Sequence, residues 1–221
     1  MKTLKEKGEL LFRGIEEERL APTLHCIGAK RRSFRKDDII YKAGEDILEV
    51  GLILEGAIHM VHEDLWGNQN LITRMGEGDL IGEIFACGFE HQSNVSFIAD
   101  SPVELLLLPF PKVLHVCTTH CIVHHQLIEN MVGMFAKKGR KLLDKLEVTT
   151  PKGLREKLLA YLSLEASRAG STRIVLPYTR EELATYLGVN RSALSREFSR
   201  LREEGFLEFD GRTVSLLETR E

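Results

Sequence analysis

The chain has no hydrophobic run that could span a bilayer. Its longest purely aliphatic stretch is Leu105 to Leu108, where roughly 20 apolar residues are needed. Nor is there an apolar signal-peptide core, because Met1 to Lys7 mixes acidic and basic side chains. Export is therefore not expected, and the cytoplasm is the expected site, with no membrane partner. Cysteine is sparse. Four in 221 residues, without a dense paired framework, exclude a disulfide scaffold and suit a reducing compartment. There is no internal repeat or low-complexity tract, and a chain 43% hydrophobic and 29% charged is neither disordered nor collagen-like. An excess of one charge is missing too: 30 Lys and Arg against 33 Asp and Glu leave a net −3. Taken alone, that balance weighs against nucleic acid as a partner. Its distribution reverses the inference. Residues 1–149 hold 18 basic and 22 acidic side chains, and residues 150–221 hold 12 and 11. Within the second part, Gly188 to Arg202 carry four arginines against one glutamate, so a short basic surface lies inside a balanced total.

The length suits one large or two small domains, and the chain changes character along its course. Arg13 to about Leu20, ahead of Pro22, reads as a short helix. From Ile27 to Phe110 short β-rich runs are cut by glycine. Asp38 to Tyr41 precedes Gly44, Val50 to Leu54 precedes Gly56, and Ala57 to His62 precedes a turn at Gly67-Asn68. Leu71 to Thr73 precedes Gly76-Glu77-Gly78-Asp79, and Leu80-Ile81 precedes Gly82. Many short strands with turn signals about every 8–12 residues predict an antiparallel roll or barrel.

From His120 to Leu146 there is no proline, and the period becomes helical. Cys121, His125, Ile128, Val132, Phe135, Gly139, Leu142 and Leu146 alternate gaps of four and three, the seam spacing of a coiled coil. Leu127, Met131 and Met134 widen the stripe on one flank. It is too long and too broad for a helix covering only its own roll, which predicts a dimerisation helix. Thr150 as N-cap and Pro151 as first residue predict a new helix running to Ala169 before Gly170. The expected domains are a roll over 1–119, the long helix over 120–148 and a C-terminal domain over 149–221.

Residues 176–216 carry the strongest signal. Thr179-Arg180-Glu181-Glu182 is a capping box that opens a helix ending at Gly188. Asn190 caps a second helix, from Arg191 to Glu204. Ala184 is small where two helices cross, Gly188 permits the turn, and Leu183, Leu187, Val189, Leu194, Phe198 and Leu201 form the shared core expected of a helix-turn-helix. Asp210-Gly211 between two β-rich runs predicts a type I′ hairpin, a wing. Glu197 departs from the pattern, since such motifs place an apolar residue there; Phe198 can take its packing role after a small rotation. The second helix presents Arg191, Ser192, Ser195, Arg196 and Arg200. Its first turn is expected in the major groove, where arginine can bond guanine O6 and N7 with both arms.

A glycine-punctuated roll, a long helix and a winged helix-turn-helix, in that order, resemble the cAMP receptor/fumarate–nitrate regulator (Crp/Fnr) family over about residues 10–217. The resemblance implies an α+β fold with an N-terminal cyclic-nucleotide-binding-like β-roll (jelly-roll). It also implies a homodimer on a palindromic operator in double-stranded DNA, RNA polymerase as a partner and a small-molecule effector. Gly76-Glu77-Gly78-Asp79-Leu80-Ile81-Gly82-Glu83 resembles the family's entry to the phosphate-binding cassette. Members that bind cAMP use the glutamate for the ribose and an arginine–serine pair about ten residues later for the phosphate. Here Ser93 stands where the arginine should be, followed by Asn94, and no lysine or arginine lies between Gly82 and Lys112. A buried phosphate without a charge partner carries a heavy desolvation cost, so cAMP and cGMP are not the expected effectors. A less charged or more apolar ligand is expected near Gly82, Glu83, Ser93 and Asn94, with Phe85, Val95 and Phe97 as candidate walls. Glu83 has an equal alternative role, bonding backbone amides in the cassette turn. The resemblance also places Lys138 and Gly139 over the pocket. In the second helix of the motif, Arg196 matches an arginine that members use on a guanine, and Ser195 resembles the serine of the fumarate–nitrate branch. A glutamate usually stands where Ser192 does, so a different half-site is expected.

His115, Cys117, His120, Cys121, His124 and His125 crowd eleven positions. Cys117, Cys121, His124 and His125, at helical spacing, could bind zinc, iron or heme, or Cys117 and Cys121 could act as a redox pair, and the family resemblance implies branches that sense in that way. This is the alternative to a small effector; no resident cofactor or metal is expected otherwise. His59 and His62, three apart on a strand, point to opposite faces, which rejects a metal site there. A roll enzyme is the distant alternative, and the chain lacks the nucleophile–base pair or metal triad that catalysis would need. The expectation is a regulator with no catalytic residues.

Overall fold

The computed structural model describes residues 3–64, 66–114 and 122–217. In chain order the elements are α1 (Leu4–Lys7), α2 (Glu17–Cys26), β1 (Lys30–Phe34), β2 (Ile39–Tyr41), β3 (Glu49–Glu55), β4 (Ile58–Glu63), β5 (Gln69–Met75), β6 (Leu80–Ile81), α3 (Glu83–Ala86), β7 (Ser96–Ala99) and β8 (Val103–Pro109). There follow α4 (Phe110–Leu114), α5 (Ile122–Thr149), α6 (Leu154–Ala169), β9 (Arg173–Val175), α7 (Arg180–Leu187), α8 (Arg191–Glu203), β10 (Leu207–Asp210) and β11 (Thr213–Leu216). The chain divides into two compact units, 1–135 and 136–221. The division falls inside α5.

The first unit is a roll of two four-stranded antiparallel sheets, ordered β1-β8-β3-β6 and β2-β7-β4-β5. Leu105 to Leu108 are all buried because β8 runs between β1 and β3, inside a core that also holds Leu11, Phe12, Leu127 and Met131. A run that reads as unbroken in sequence is a strand covered on both faces. At the sheet edge β1 exposes Lys30, Arg31 and Arg32, charges that discourage pairing with another chain.

The N-terminal helix corrects the sequence expectation. It begins at Glu17, and Pro22 lies within it. Pro22 has no N–H to offer the Glu18 carbonyl, but both residues lie on a side of the helix exposed to water. Leu20, Leu24 and Ile27, buried in the roll core, hold the opposite side.

The long helix has two apolar faces rather than one widened stripe. Val123, Leu127, Met131 and Met134 are buried in the roll core, and Asn130 Nδ2 donates to the carbonyls of Leu11 and Arg13, both at 2.8 Å. The four-and-three stripe lies beside that face and is largely open. Val132, Leu142 and Leu146 are 58%, 61% and 51% exposed, and Leu143 adjoins them. Farther along, Val148 is fully buried in the core of the second unit.

The second unit packs α6, α7 and α8 beside a three-stranded sheet ordered β10-β11-β9. Residues 150 and 151 do not start a helix. Thr150 instead closes α5, its N–H and its hydroxyl both donating to the Leu146 carbonyl, and α6 starts after Gly153. The wing forms as a two-residue hairpin, Asp210 opposite Thr213. Its central residues are Gly211 and Arg212, and only Gly211 has positive φ, at 57°. That is the sign pattern of type II′ rather than the expected I′, which needs both residues left-handed.

Candidate nucleic-acid interface

The motif is built on two caps and one glycine. Thr179 Oγ1 accepts from the Glu182 N–H at 3.3 Å, and the Glu182 carboxylate accepts from the Thr179 N–H at 2.8 Å. The bond from the Thr179 N–H, with the Thr179 hydroxyl beside it, holds the Glu182 pKa below its ordinary value. Gly188 ends α7 at φ 65°, which a side chain would strain, and the Val189 N–H returns to the Ala184 carbonyl at 2.9 Å. Two residues later Asn190 Oδ1 accepts from Ser192 N–H at 2.9 Å and Ala193 N–H at 3.3 Å. The chain therefore turns within three residues and enters α8 with its first N–H groups satisfied.

Below that turn Leu183, Ala184, Leu187, Leu194, Phe198 and Leu201 are buried together, with Val189 half-buried at the edge. All five expected reading residues, Arg191, Ser192, Ser195, Arg196 and Arg200, are exposed on α8. Arg191 and Arg196 are only weakly tied to the protein. Arg191 lies 3.9 Å from Glu181 with both side chains open to water, and Arg196 has no hydrogen bond or ion pair among the described residues. An exposed pair of that kind contributes little, so the guanidinium groups stay available to a ligand.

Two residues here escaped the sequence reading, Arg155 and Arg180, and Glu197 is placed differently from what was expected. Phe198 does take a packing role, but Glu197 is not displaced by it: both are buried, and the Glu197 carboxylate faces two guanidinium groups. One belongs to Arg155 of α6, the other to Arg200. Arg180, the first residue of α7, stacks 3.4 Å over the Phe198 ring and 5.3 Å from the Phe209 ring of the wing. Burial lowers its pKa, and its Nη2 has no hydrogen-bond partner among the described residues. A cation over two aromatic faces ties α7, α8 and β10 together. No sequence spacing announces such a contact.

In the roll, Gly82 has φ 73°, and a Cβ there would meet Ile47 Cγ2 at 2.9 Å, so the entry to α3 requires glycine. Glu83 is buried just after it. Ser93 is also buried, but its hydroxyl is committed locally: Oγ donates to the Val95 carbonyl at 2.7 Å and accepts from the Val95 N–H at 3.2 Å. Asn94 is exposed, Val95 and Phe97 are core, and Phe85 is half-buried against that core. Lys138 and Gly139 belong to the second unit, the former half-buried and the latter exposed. Cys117 and Cys121 lie outside the described residues. Of the two described members of that cluster, His124 is buried at 1% exposure and His125 is exposed, so these neighbours do not share a face. Among the described residues no group of three or more His, Cys, Asp or Glu side chains could hold a metal, and no helix is long and apolar enough to cross a membrane. His59 Nε2 faces Asp100 at 3.5 Å, and Arg74 Nε donates to the same carboxylate oxygen at 2.8 Å.

Comparison with known proteins agrees with this architecture. Residues 31–120 match the cyclic nucleotide-binding domain, and residues 156–221 match the Crp-like helix-turn-helix domain. The cyclic AMP receptor protein of Thermus thermophilus is 26% identical over 212 residues, covering 96% of this chain and 94% of its own. The cAMP-activated global transcriptional regulator Vfr of Pseudomonas aeruginosa is 23% identical, covering 89% and 92%. The fumarate and nitrate reduction regulatory protein of Vibrio cholerae is 20% identical, covering 85% and 75%. Among solved structures, a cysteine-to-serine variant of CprK complexed with OCPA superposes with a TM-score of 0.57 at 18% identity, covering 89% of this chain and 88% of that one. At that identity the likeness speaks to fold.

Proposed function

The chain belongs to the Crp/Fnr family of transcriptional regulators, and from that premise we propose that it works in the cytoplasm as a homodimer on an inverted-repeat operator. It is a DNA-binding regulator rather than an enzyme, as its relatives are regulators throughout. The observation that carries the reading is the set of five exposed polar side chains on α8, three of them arginines, above a rigid capped turn. Arginine in the major groove supplies discrimination, and the phosphate backbone supplies salt-dependent affinity.

Dimerisation runs along the open stripe of α5, where Val132, Leu142 and Leu146 need a partner to leave water. Two copies then present their α8 helices to half-sites about 34 Å apart. The effector binds in the roll and shifts the dimer between forms of different operator affinity, which alters contact with RNA polymerase. That effector is not a cyclic nucleotide. The relatives named for cAMP set the expectation, but this chain has Ser93 in the phosphate position, and its hydroxyl is already bonded to Val95. The test is selection of duplexes from a randomised inverted-repeat pool. The parent should enrich a palindrome. Arg196→Ala should lose about 1–3 kcal/mol and relax one base position in each half-site. Equal binding of all sequences by parent and variant refutes the assignment of α8.

A further inference from the structure

Glu197 is the one charged residue on the buried face of α8, at 8% exposure. Its two oxygens face different partners. Oε1 lies 3.6 Å from Arg155 Nη1 on α6, and Oε2 lies 3.7 Å from Arg200 Nη1, three residues along the same helix. Both are Coulombic pairings, too long to be hydrogen bonds. Arg155 is anchored in turn, since its Nη2 donates to Glu204 at 2.5 Å and its guanidinium lies 5.0 Å over the Phe206 ring. Arg155, Glu197, Arg200 and Glu204 thus form a chain of alternating sign and zero net charge at the base of a basic surface.

Stability does not account for a carboxylate at this position. A well-packed aliphatic side chain serves a buried site as well as an ion pair or better, because both charges of the pair must leave water. What a fixed carboxylate adds is direction. Arg200 is 68% exposed on a long side chain, and Glu197 beside it draws the guanidinium to one flank of the helix. Arg196 stands one turn before Arg200, so the two are neighbours on the helix surface.

We propose that Glu197 is a positioning residue for DNA reading: braced by Arg155, it holds Arg200 beside Arg196 so that the two meet the duplex in a fixed relation. The carboxylate also repels phosphate. That repulsion weakens binding to any DNA alike, while the fixed pair of guanidinium groups gains only where both find their partners, so Glu197 favours specificity over affinity. The inference rests on α8 being the reading helix.

The test compares the full-length parent with Glu197→Gln, Glu197→Leu, Arg200→Ala and the double variant Glu197→Gln/Arg200→Ala. Each is titrated with the duplex that the parent selects from a randomised inverted-repeat pool and with a scrambled duplex. Glu197→Gln should bind the scrambled duplex more tightly, and the affinity ratio of selected to scrambled should fall about tenfold. The double variant should discriminate no worse than Arg200→Ala alone. Glu197→Leu, which fills the site without charge, carries the same readout if the glutamine variant fails to fold. Parent-like ratios in both Glu197 variants, or losses that simply add in the double variant, overturn the proposal. Arg196→Ala on the same duplexes separates the two levels. A loss there with none at Glu197 removes only the positioning role, whereas a parent that fails to distinguish the duplexes removes the reading of α8 as well.

Discussion

At the residue scale, the turn before α8 depends on one side-chain oxygen. Asn190 Oδ1 takes two N–H groups that no helical carbonyl can reach, and it does so at the end of the helix meant for the groove. Asn190→Ala is expected to cost about 1 kcal/mol of stability, seen as a lower melting temperature of the whole chain. Operator affinity should fall as well, because Arg191 and Ser192 sit in the turn that this cap orders. An unchanged melting temperature would show that water serves the two N–H groups equally well. Caps of this kind are legible in sequence because their chemistry is local: Thr179, Glu182 and Asn190 do what their spacing predicts. Thr150 and Pro151 carried the same local signal and failed. The Thr150 hydroxyl found the Leu146 carbonyl of the preceding helix, a competing bond that the spacing does not exclude.

At the scale of the element, α5 divides its apolar residues between two duties. One row is buried in the roll, and the four-and-three row, with Ile128 and Phe135 half-buried against that core, is left open at Val132, Leu142 and Leu146. Both rows are visible in sequence as a single broad stripe, since periodicity counts apolar positions without saying what covers each. Placing charge on the open row alone should separate the duties. Leu142→Glu with Leu146→Glu is expected to leave the fold intact and to give a monomer by analytical ultracentrifugation at concentrations where the parent is a dimer. Operator affinity should drop with it, because each monomer contacts one half-site. A double variant that still sediments as a dimer would place the interface elsewhere. The Pro22 correction has a related cause. A proline inside a helix costs a backbone bond, but on an exposed side water replaces that bond while Leu20, Leu24 and Ile27 keep the helix in place.

For the whole molecule, two expectations follow from where charges are and are not. Asp64, Asp100, Glu182 and Glu204 all have pKa values held below the ordinary carboxylate value. The leading causes are hydrogen bonds from Asn68, Arg74, Thr179 and Arg155 respectively. A depressed folded-state pKa contributes stability that is complete above the unfolded value and is lost as pH falls through the folded one. The roll carries two of these groups and the second unit the other two, so both units should weaken together once pH drops below about 4. Acid titration followed by circular dichroism checks this; stability that stays flat to pH 2 would contradict it. The second expectation concerns the effector. A thermal-shift comparison should show no stabilisation by cAMP or cGMP, because no arginine or lysine lies between Gly82 and Lys112 to meet the phosphate. A large shift with cAMP would refute the reading of Ser93.

The opening deficits of the sequence therefore settled much of the architecture. Few cysteines and no long apolar run excluded a disulfide scaffold and a membrane span, and short glycine-cut strands followed by a proline-free helical stretch indicated a roll joined to helices. Capping chemistry and core spacing determined the helix-turn-helix and the five exposed side chains of α8. These features are local, fixed by side chains within a few residues of the backbone groups they serve. Tertiary structure decided the rest. It put Glu197 inside, between an arginine from α6 and one from its own helix, and it laid Arg180 across rings from α8 and the wing. It turned the serine in the phosphate position inward onto Val95, and it chose which row of α5 the roll would cover. In each case the deciding partner lies on another element or is set by a packed core. Burial then makes an unpaired charge or an uncovered apolar row too costly to leave as the sequence alone presents it.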